Sequence, residues 1–366
     1  MKVSIFLMDL SGGGAERVML NLAHGFLAEG KEVDLVLVKA EGPYLSQLSS
    51  KINLVKLKSS RLLFSLPALI RYLKQTKPSV LLSALEDTNI IALLAKKFSG
   101  VSSKIIVTVH NHLSCESRNA TQLKRRMTPQ LVKLFYPLAD HTVAVSQGVA
   151  DDLIHLGLDP KKVQAVFNPI VTAELRLKLQ EELEHPWFQA GQPPVILGVG
   201  RLTRQKDFST LIRAFAQLQQ HMFVRLMILG EGEERVNLEN LVQELGLSEN
   251  VLFPGFVANP YAYMAKAEIV ALSSAWEGFG NVLVEAMAAG TPVLATDCES
   301  GPAEILGHGK YGRLVPVGNP KEMAFAMADT LQDPLNREDL KKRAEEFTLE
   351  KAVAQYDKLL KSLYNL

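Results

Sequence analysis

Cysteine is almost absent from this 366-residue chain, which has only Cys115 and Cys298, far apart. That scarcity excludes a disulfide framework and fits a reducing compartment. Long apolar runs are missing too, because no window approaches the roughly 20 residues of a membrane span. The opening MKVSIFLMDL pairs a charge with an apolar run too short for a secretory signal, and no cleavage site follows. Together these absences predict a cytoplasmic protein. Neither sign of charge dominates: 40 basic residues face 39 acidic ones, a net charge of +1, which removes any global electrostatic case for nucleic acid. No Asp-x-Asp occurs, so no divalent ion is implied, and no G-x4-G-K-[ST] phosphate loop occurs. What remains is a globular composition, 47% hydrophobic and 22% charged, long enough for two α/β domains.

The first half alternates apolar runs with helical periodicity. Val3–Met8 reads as a strand, Ser11–Gly14 as a glycine turn, Ala15–Glu29 as a helix closed by Gly30, and Val33–Val38 as the next strand. This opening suggests a dinucleotide site, but G-x-G-x-x-G needs glycine where Arg17 stands, and Lys39 takes the place of the ribose-binding acid. Gly13 and Gly14 still permit a backbone to approach a ligand closely. Later strands are expected at Val80–Ser83, Lys104–Val109 and Thr142–Val145, and one helical stretch at Asn119–Pro137. Strand Lys104–Val109 leads into His110, Asn111 and His112, and a histidine at a strand's carboxyl end suits a cleft. His110 reads as a partner for a ligand hydroxyl, as a histidine closing the strand end, or as part of a metal group with His112 and Cys115 that lacks a further ligand at usual spacing. Arg61–Lys74 and the run Lys124–Arg126 mix basic with bulky apolar residues. They read as a solvated face or as peripheral contact with anionic lipid.

After Asn168-Pro169 the pattern loosens, with Pro186, Gly191, Pro193 and Pro194 close together. Alternation restarts at Val195–Val199, followed by GRLTRQKDF and a helix over Phe208–Gln219. Arg201 and Lys206 thus lie on a loop ahead of a helix N-terminus, where a planar fork of donors and a mobile point charge suit a phosphate; surface pairing with nearby acids is the alternative. A strand ending at Gly230 follows, then one leading into Phe256 and Val257, where an apolar shelf could hold a nucleobase or simply pack the core. The richest stretch is Ser273–Glu285, SSAWEGFGNVLVE. A buried strand, Ile269–Leu272, precedes it; Gly278 and Gly280 permit a tight turn around Phe279; Asn281 is the expected N-cap of a helix running from Val282 to Gly290. Glu277 sits on the turn, and Glu285 is expected in the first helical turn. Two carboxylates at a helix mouth suggest acceptors for sugar hydroxyls.

The spacing of Glu277 and Glu285 within EGFGNVLVEAMAAGTPVLATD resembles the retaining glycosyltransferases of the GT-B fold numbered family four, and Arg201-x4-Lys206 matches that family's diphosphate-binding pattern. The resemblance implies an α/β fold of two Rossmann-like domains facing a central cleft: an acceptor domain over 1–170, a donor domain over 171–345, and a last helix, 346–366, crossing back to the first domain. It implies transfer of a hexose-type sugar from a nucleotide-diphosphate donor, a UDP-sugar by preference, to a saccharide or lipid-linked saccharide, with retention and no metal or other cofactor. The implied catalytic group is His110, Arg201, Lys206 and Glu277. The implied donor site is Gly13, Gly14, Gly230, Phe256, Val257, Gly278, Phe279, Gly280, Asn281, Val282 and Glu285. Polysaccharide or glycoconjugate assembly follows, with peripheral placement at the inner membrane face. The rival readings are another nucleotide-sugar enzyme, such as an epimerase, and a non-catalytic binding module. One departure is visible: many members carry Gly-Gly where this chain has ESGPAEIL, which leaves open what that loop contacts.

Overall fold

Runs such as VLLSA and KIIVTV, apolar on both faces, belong in parallel sheets covered on both sides, and the computed structural model, which describes residues 1–364, builds two of them. Cα packing divides the chain into two units: Met1–Pro169 with the chain from Leu349 onward, and Ile170–Thr348.

In unit 1 the elements run β1 (Lys2–Leu7), α1 (Gly14–Ala28), β2 (Glu32–Leu37), β3 (Asn53–Lys56), α2 (Leu66–Thr76), β4 (Val80–Ala84), α3 (Glu86–Ser99), β5 (Lys104–Val109), α4 (Leu113–Asn119), α5 (Leu123–Arg126), α6 (Thr128–Phe135), β6 (His141–Ala144), α7 (Gln147–His155) and β7 (Val163–Ala165). The seven strands are all parallel in the order β3-β2-β1-β4-β5-β6-β7, so the order reverses between β1 and β4. The single helix expected over Asn119–Pro137 is instead three short pieces beginning at Leu113. Pro129 is confined to the first turn of α6, because it has no N–H to give an earlier turn.

Unit 2 runs α8 (Ala173–Lys178), β8 (Val195–Val199), α9 (Phe208–Leu218), β9 (Arg225–Leu229), α10 (Arg235–Glu244), β10 (Val251–Gly255), α11 (Pro260–Lys266), β11 (Ile269–Leu272), α12 (Asn281–Ala289), β12 (Val293–Thr296), α13 (Pro302–Ile305), β13 (Arg313–Val315), α14 (Pro320–Gln332) and α15 (Arg337–Ala344). Its six parallel strands lie in the order β10-β9-β8-β11-β12-β13, with the reversal between β8 and β11. Phe208, Leu211, Ile212 and Phe215 of α9 meet Met323 and Met327 of α14 in one core cluster on the sheet. The last helix, α16 (Leu349–Tyr364), packs on α1 of unit 1: Phe26 and Tyr356 meet edge to face at 5.9 Å, and Lys31 pairs with Asp357 at 2.8 Å. No helix among the described residues is long and apolar enough to cross a membrane.

Candidate active site

In an open parallel sheet, ligands bind beyond the carboxyl ends of the strands where the order reverses, because crossover helices diverge there and leave backbone groups exposed. In unit 2 the two loops at that point are Gly200–Asp207, after β8, and Ser273–Gly280, after β11. They are stitched together. Ser273 Oγ donates to the Lys206 carbonyl (2.8 Å), Ala275 N to the Gln205 carbonyl (2.8 Å), and Gln205 Nε2 to the Trp276 carbonyl (3.0 Å). Asp207, at φ +43°, turns the chain into α9 and caps it, accepting from Thr210 N at 3.3 Å.

The stitching brings Lys206 onto Glu277, and the two form an ion pair. Glu277 is buried, at 6% exposure, and it is held from three directions. Lys206 Nζ and Ser274 Oγ both donate to Oε1, the serine at 2.6 Å, while Ser300 Oγ donates to the Glu277 backbone carbonyl at 2.6 Å. Ser300 belongs to the segment that departs from the Gly-Gly pattern, so the departure supplies a strut beneath Glu277. Gly301 beside it has φ +87°, and a Cβ there would lie 2.0 Å from the Phe279 carbonyl, which only glycine avoids. The Cys298 thiol behind this turn is pushed up to about 12 by burial and then by the Glu277 charge, so it stays protonated. Trp276 Nε1 is buried with no hydrogen-bond partner among the described residues.

Arg201 stands apart from this network. Its side chain is exposed and makes no hydrogen bond or ion pair among the described residues, whereas neighbouring Arg204 lies 3.5 Å from Glu234. The helix after the glycine turn differs from expectation at its start. Gly280, at φ +102°, is the N-cap of α12, and Asn281 is its first residue. Glycine reaches that backbone conformation without the strain asparagine would bear. The shift places Glu285 one turn up the helix and half-buried, not in the first turn. Phe279 and Val282 are buried, with the Phe279 ring against Phe347 at 5.6 Å. Gly278 is buried. Gly230 N donates to the Gly255 carbonyl at 2.9 Å, joining two strand ends beside the site. Phe256 just beyond is 68% exposed and so is not core; Val257 is half-buried.

In unit 1, Gly13 is the N-cap of α1 and Gly14 its first residue, one step earlier than expected. His110 lies at the end of β5 and is half-buried, and burial lowers its pKa to about 4, which keeps the ring neutral at pH 7. The Thr108 hydroxyl lies 3.0 Å from both the Ser83 carbonyl and His110 Nε2. A carbonyl can only accept, so the one hydroxyl proton goes to Ser83, and Nε2–H must donate to Thr108. That tautomer leaves Nδ1 as an acceptor. His112 differs: its Nδ1 accepts from Cys115 N at 3.3 Å. Across the same carboxyl edge, Glu86 opens α3 from a buried position, and its pKa is raised to about 7 by burial and the Glu116 charge, with Arg125 opposing.

Comparison with known proteins gives the family. Residues 12–174 match Glycosyltransferase Family 4, and residues 180–347 match Glycosyl transferases group 1. The chain is 33% identical, over 94% of its length and 93% of the relative's, to the N-acetylgalactosamine-N,N'-diacetylbacillosaminyl-diphospho-undecaprenol 4-alpha-N-acetylgalactosaminyltransferase of Campylobacter jejuni. It is 28% identical, over 80% of its length and 81% of the relative's, to an uncharacterized glycosyltransferase of Methanocaldococcus jannaschii. Among solved structures, HepE of Anabaena in complex with UDP-glucose superposes with a TM-score of 0.80 at 21% identity, covering 99% of this chain and 100% of that one. Sucrose-phosphate synthase of Thermosynechococcus elongatus gives 0.82 at 20%, covering 100% and 99%. These likenesses bear on the fold. The chain belongs to the family 4, group 1 glycosyltransferases and is a glycosyltransferase of the GT-B fold.

Proposed function

We propose that this glycosyltransferase takes its sugar from a UDP-linked donor and delivers it, with retention of anomeric configuration, to a saccharide carried on a lipid diphosphate. The observation that carries the donor half is the unpaired Arg201 beside the Lys206–Glu277 pair at one switch point. A free guanidinium and an ammonium that can be shared suit a diphosphate whose charge grows as the glycosidic bond breaks. The acceptor half is supported by the Campylobacter relative, whose name specifies a diphospho-undecaprenol-linked saccharide. HepE was solved with UDP-glucose, which supports the choice of base.

In this reading the bond between the anomeric carbon and the diphosphate oxygen breaks while the acceptor oxygen bonds to the same face. The acceptor's proton passes to the departing phosphate oxygen, so charge and atoms balance. Arg201 and Lys206 stabilise the leaving diphosphate and take the part a divalent ion would otherwise play; no metal or other cofactor is required. Glu277 orients the sugar hydroxyls and faces the positive character that develops on the ring. Glu285 accepts from the ribose hydroxyls. Gly230, Phe256 and Val257 serve the base, and backbone groups of Gly278–Val282 and of Gly13–Gly14 approach the ligand. His110, neutral and with Nδ1 open, accepts a hydrogen bond from a hydroxyl of the donor sugar. The enzyme then works in the cytoplasm at the inner face of the membrane, in polysaccharide or glycoconjugate assembly.

A thermal-shift screen of the purified protein against UDP, GDP, ADP and NAD, with and without magnesium, tests the donor half. A ligand at about 100 times its Kd should add about 2.7 kcal/mol to stability. The expected result is a shift with UDP that needs no magnesium and shrinks in Arg201→Ala. A shift with NAD alone, or with no nucleotide, would contradict it.

A further inference from the structure

Unit 1 has a switch point of its own. Its strand order reverses between β1 and β4, so the connections that open there are the glycine turn before α1 and Leu85, the one residue joining β4 to α3. In each unit the connection leaving the strand just past the reversal carries or leads into a buried glutamate, Glu277 at 6% exposure and Glu86 at 5%. The two are held differently. Glu277 Oε1 already accepts from Lys206 and Ser274. The Glu86 carboxyl accepts only from its own backbone N–H among the described residues, and its ion-pair partner Arg125 stands at 3.5 Å, shared with Glu116 at 3.7 Å. Those separations exceed an ordinary N–H···O hydrogen bond, so Glu86 keeps uncommitted lone pairs.

Further unsatisfied groups lie around it. Asn89, one turn along α3 on the same side, donates from Nδ2 to the Thr108 carbonyl at 2.9 Å and to the Tyr136 hydroxyl at 2.8 Å. Its Oδ1 is buried with no partner among the described residues, and so is Ser83 Oγ on β4. The Tyr136 hydroxyl is held well above its usual pKa by burial and then by the Glu86 charge, so the carboxyl faces this cluster. The backbone here is strained as well. Leu85 sits at φ +73° and ψ 139°, where glycine would be at ease and leucine is not. A strained turn and a buried ionisable carboxyl both cost stability, and such costs gather where a ligand needs them.

Glu86 also has the right neighbour. Ala84 of β4 is paired with Thr108 of β5, so Glu86 and His110 each stand two residues beyond one register pair, on strands about 4.8 Å apart. His110 is assigned above to the donor sugar, and the acceptor must bring its reacting hydroxyl to that same sugar. We propose that Glu86 selects the acceptor: its carboxylate accepts a hydrogen bond from a second hydroxyl of the acceptor's terminal sugar, one that is not glycosylated, and so sets which stereoisomer of that sugar is used. A site built to hydrogen-bond a hydroxyl rejects the analogue that lacks it, because its buried polar group is left unpaired. The proposal rests on the saccharide acceptor inferred above and names the residue that reads it.

The test is steady-state transfer by the full chain from UDP-sugars to polyprenyl-diphosphate-linked saccharides and to monodeoxy analogues of their terminal sugar. Glu86→Gln should raise the acceptor KM about tenfold, the loss of one charged hydrogen bond, while the donor KM and the UDP-induced thermal shift stay as in wild type. One deoxy analogue should lose the same factor on wild type and nothing further on Glu86→Gln, a non-additivity that a merely structural glutamate does not produce. Burial and then the Glu116 and Asp87 charges oppose the carboxylate while Arg125 favours it, and with Glu86 near 7 the wild-type acceptor KM should fall as pH rises through that value. Glu86→Gln should lose this slope, and Glu86→Asp should keep it at a raised KM. An unchanged acceptor KM in Glu86→Gln, a rise confined to the donor KM, or full additivity with every deoxy analogue overturns the proposal. Wild type that shifts with UDP but extends no lipid-linked saccharide removes the acceptor and the proposal with it, leaving the donor site standing. No shift and no transfer overturns the donor reading too.

Discussion

Removing Lys206 and removing Arg201 should have different consequences, although both are assigned to the same diphosphate. The Lys206 and Glu277 side chains are 19% and 8% exposed, so their pair is largely out of water. Taking one partner from a buried pair costs about 3–5 kcal/mol, because the other charge is left without compensation. Here Ser274 still donates to the carboxylate and Lys206 keeps some solvent, so about 2–3 kcal/mol is the expected loss for Lys206→Ala. For a unit of this size that is a fall in Tm of about 4–12 °C. Arg201 is exposed and has no ion-pair partner among the described residues, so Arg201→Ala should change stability by less than about 0.5 kcal/mol. Both variants should weaken UDP binding, Arg201→Ala by about 10- to 150-fold if it gives up a charged hydrogen bond of about 1.5–3 kcal/mol. Combining Lys206→Met with Glu277→Gln should recover most of the lost stability, since no buried charge then stands alone. Calorimetric unfolding and titration with UDP measure both quantities. Equal Tm losses in the two single variants, or Arg201→Ala binding UDP as wild type does, would refute the assignment of one cation to the network and the other to the ligand.

Ser300→Ala removes the hydroxyl beneath the Glu277 carbonyl and should lower stability by about 1 kcal/mol; kcat should fall more than the KM for donor rises, with Ser300→Thr restoring part of it if the hydroxyl is what matters. Gly301→Ala drives a Cβ into the Phe279 carbonyl at a positive φ and should cost more than Ser300→Ala, which thermal unfolding would show. His110 has a folded pKa near 4 against 6.5 unfolded, so the unfolded chain binds the proton first, and the His110 contribution to stability is present above pH 6.5 and is lost as pH falls toward 4. His110→Gln should flatten that acid limb. Glu86 has the opposite sense. Its folded pKa near 7 exceeds the ordinary carboxylate value of 4.5, so stability declines as pH rises between them, and Glu86→Gln should be the more stable protein above pH 7 in denaturant titrations.

Much of the scaffold could be read from residue pattern alone. Lys104–Val109, Val195–Val199 and Ile269–Leu272 are strands with the bounds that their apolar runs suggest, and Gly290 closes α12 at φ +79°. The misread start of α12 is instructive. Asparagine is the commoner cap, but Gly280 holds a backbone angle that asparagine adopts only with strain, and local preference yielded to the turn around Phe279. The Phe279 ring packs on Phe347, 68 residues further along, a partner no local pattern reveals. The basic run Lys124–Arg126 reads in sequence as one cationic patch, yet two of its members meet the first-turn acids of α3, Glu86 and Asp87. The holders of Glu277 were invisible for the same reason. Ser274 and Ser300 are ordinary polar residues until the fold places the ends of β11 and β12 together. The ESGPAEIL departure was the one signal that pointed at Ser300.

The central claim is transfer from a UDP-sugar to a lipid-linked saccharide at the Arg201, Lys206 and Glu277 site. Its most direct test is one incubation of the purified protein with a panel of UDP-sugars and a polyprenyl-diphosphate-linked saccharide, following released UDP, the mass of the acceptor and the anomeric configuration of the new bond. The account predicts one equivalent of UDP for each sugar added, an α-linked product from an α-linked donor, and loss of both in Glu277→Gln. UDP-sugar converted to another UDP-sugar with no extended acceptor, or an inverted product, would contradict it.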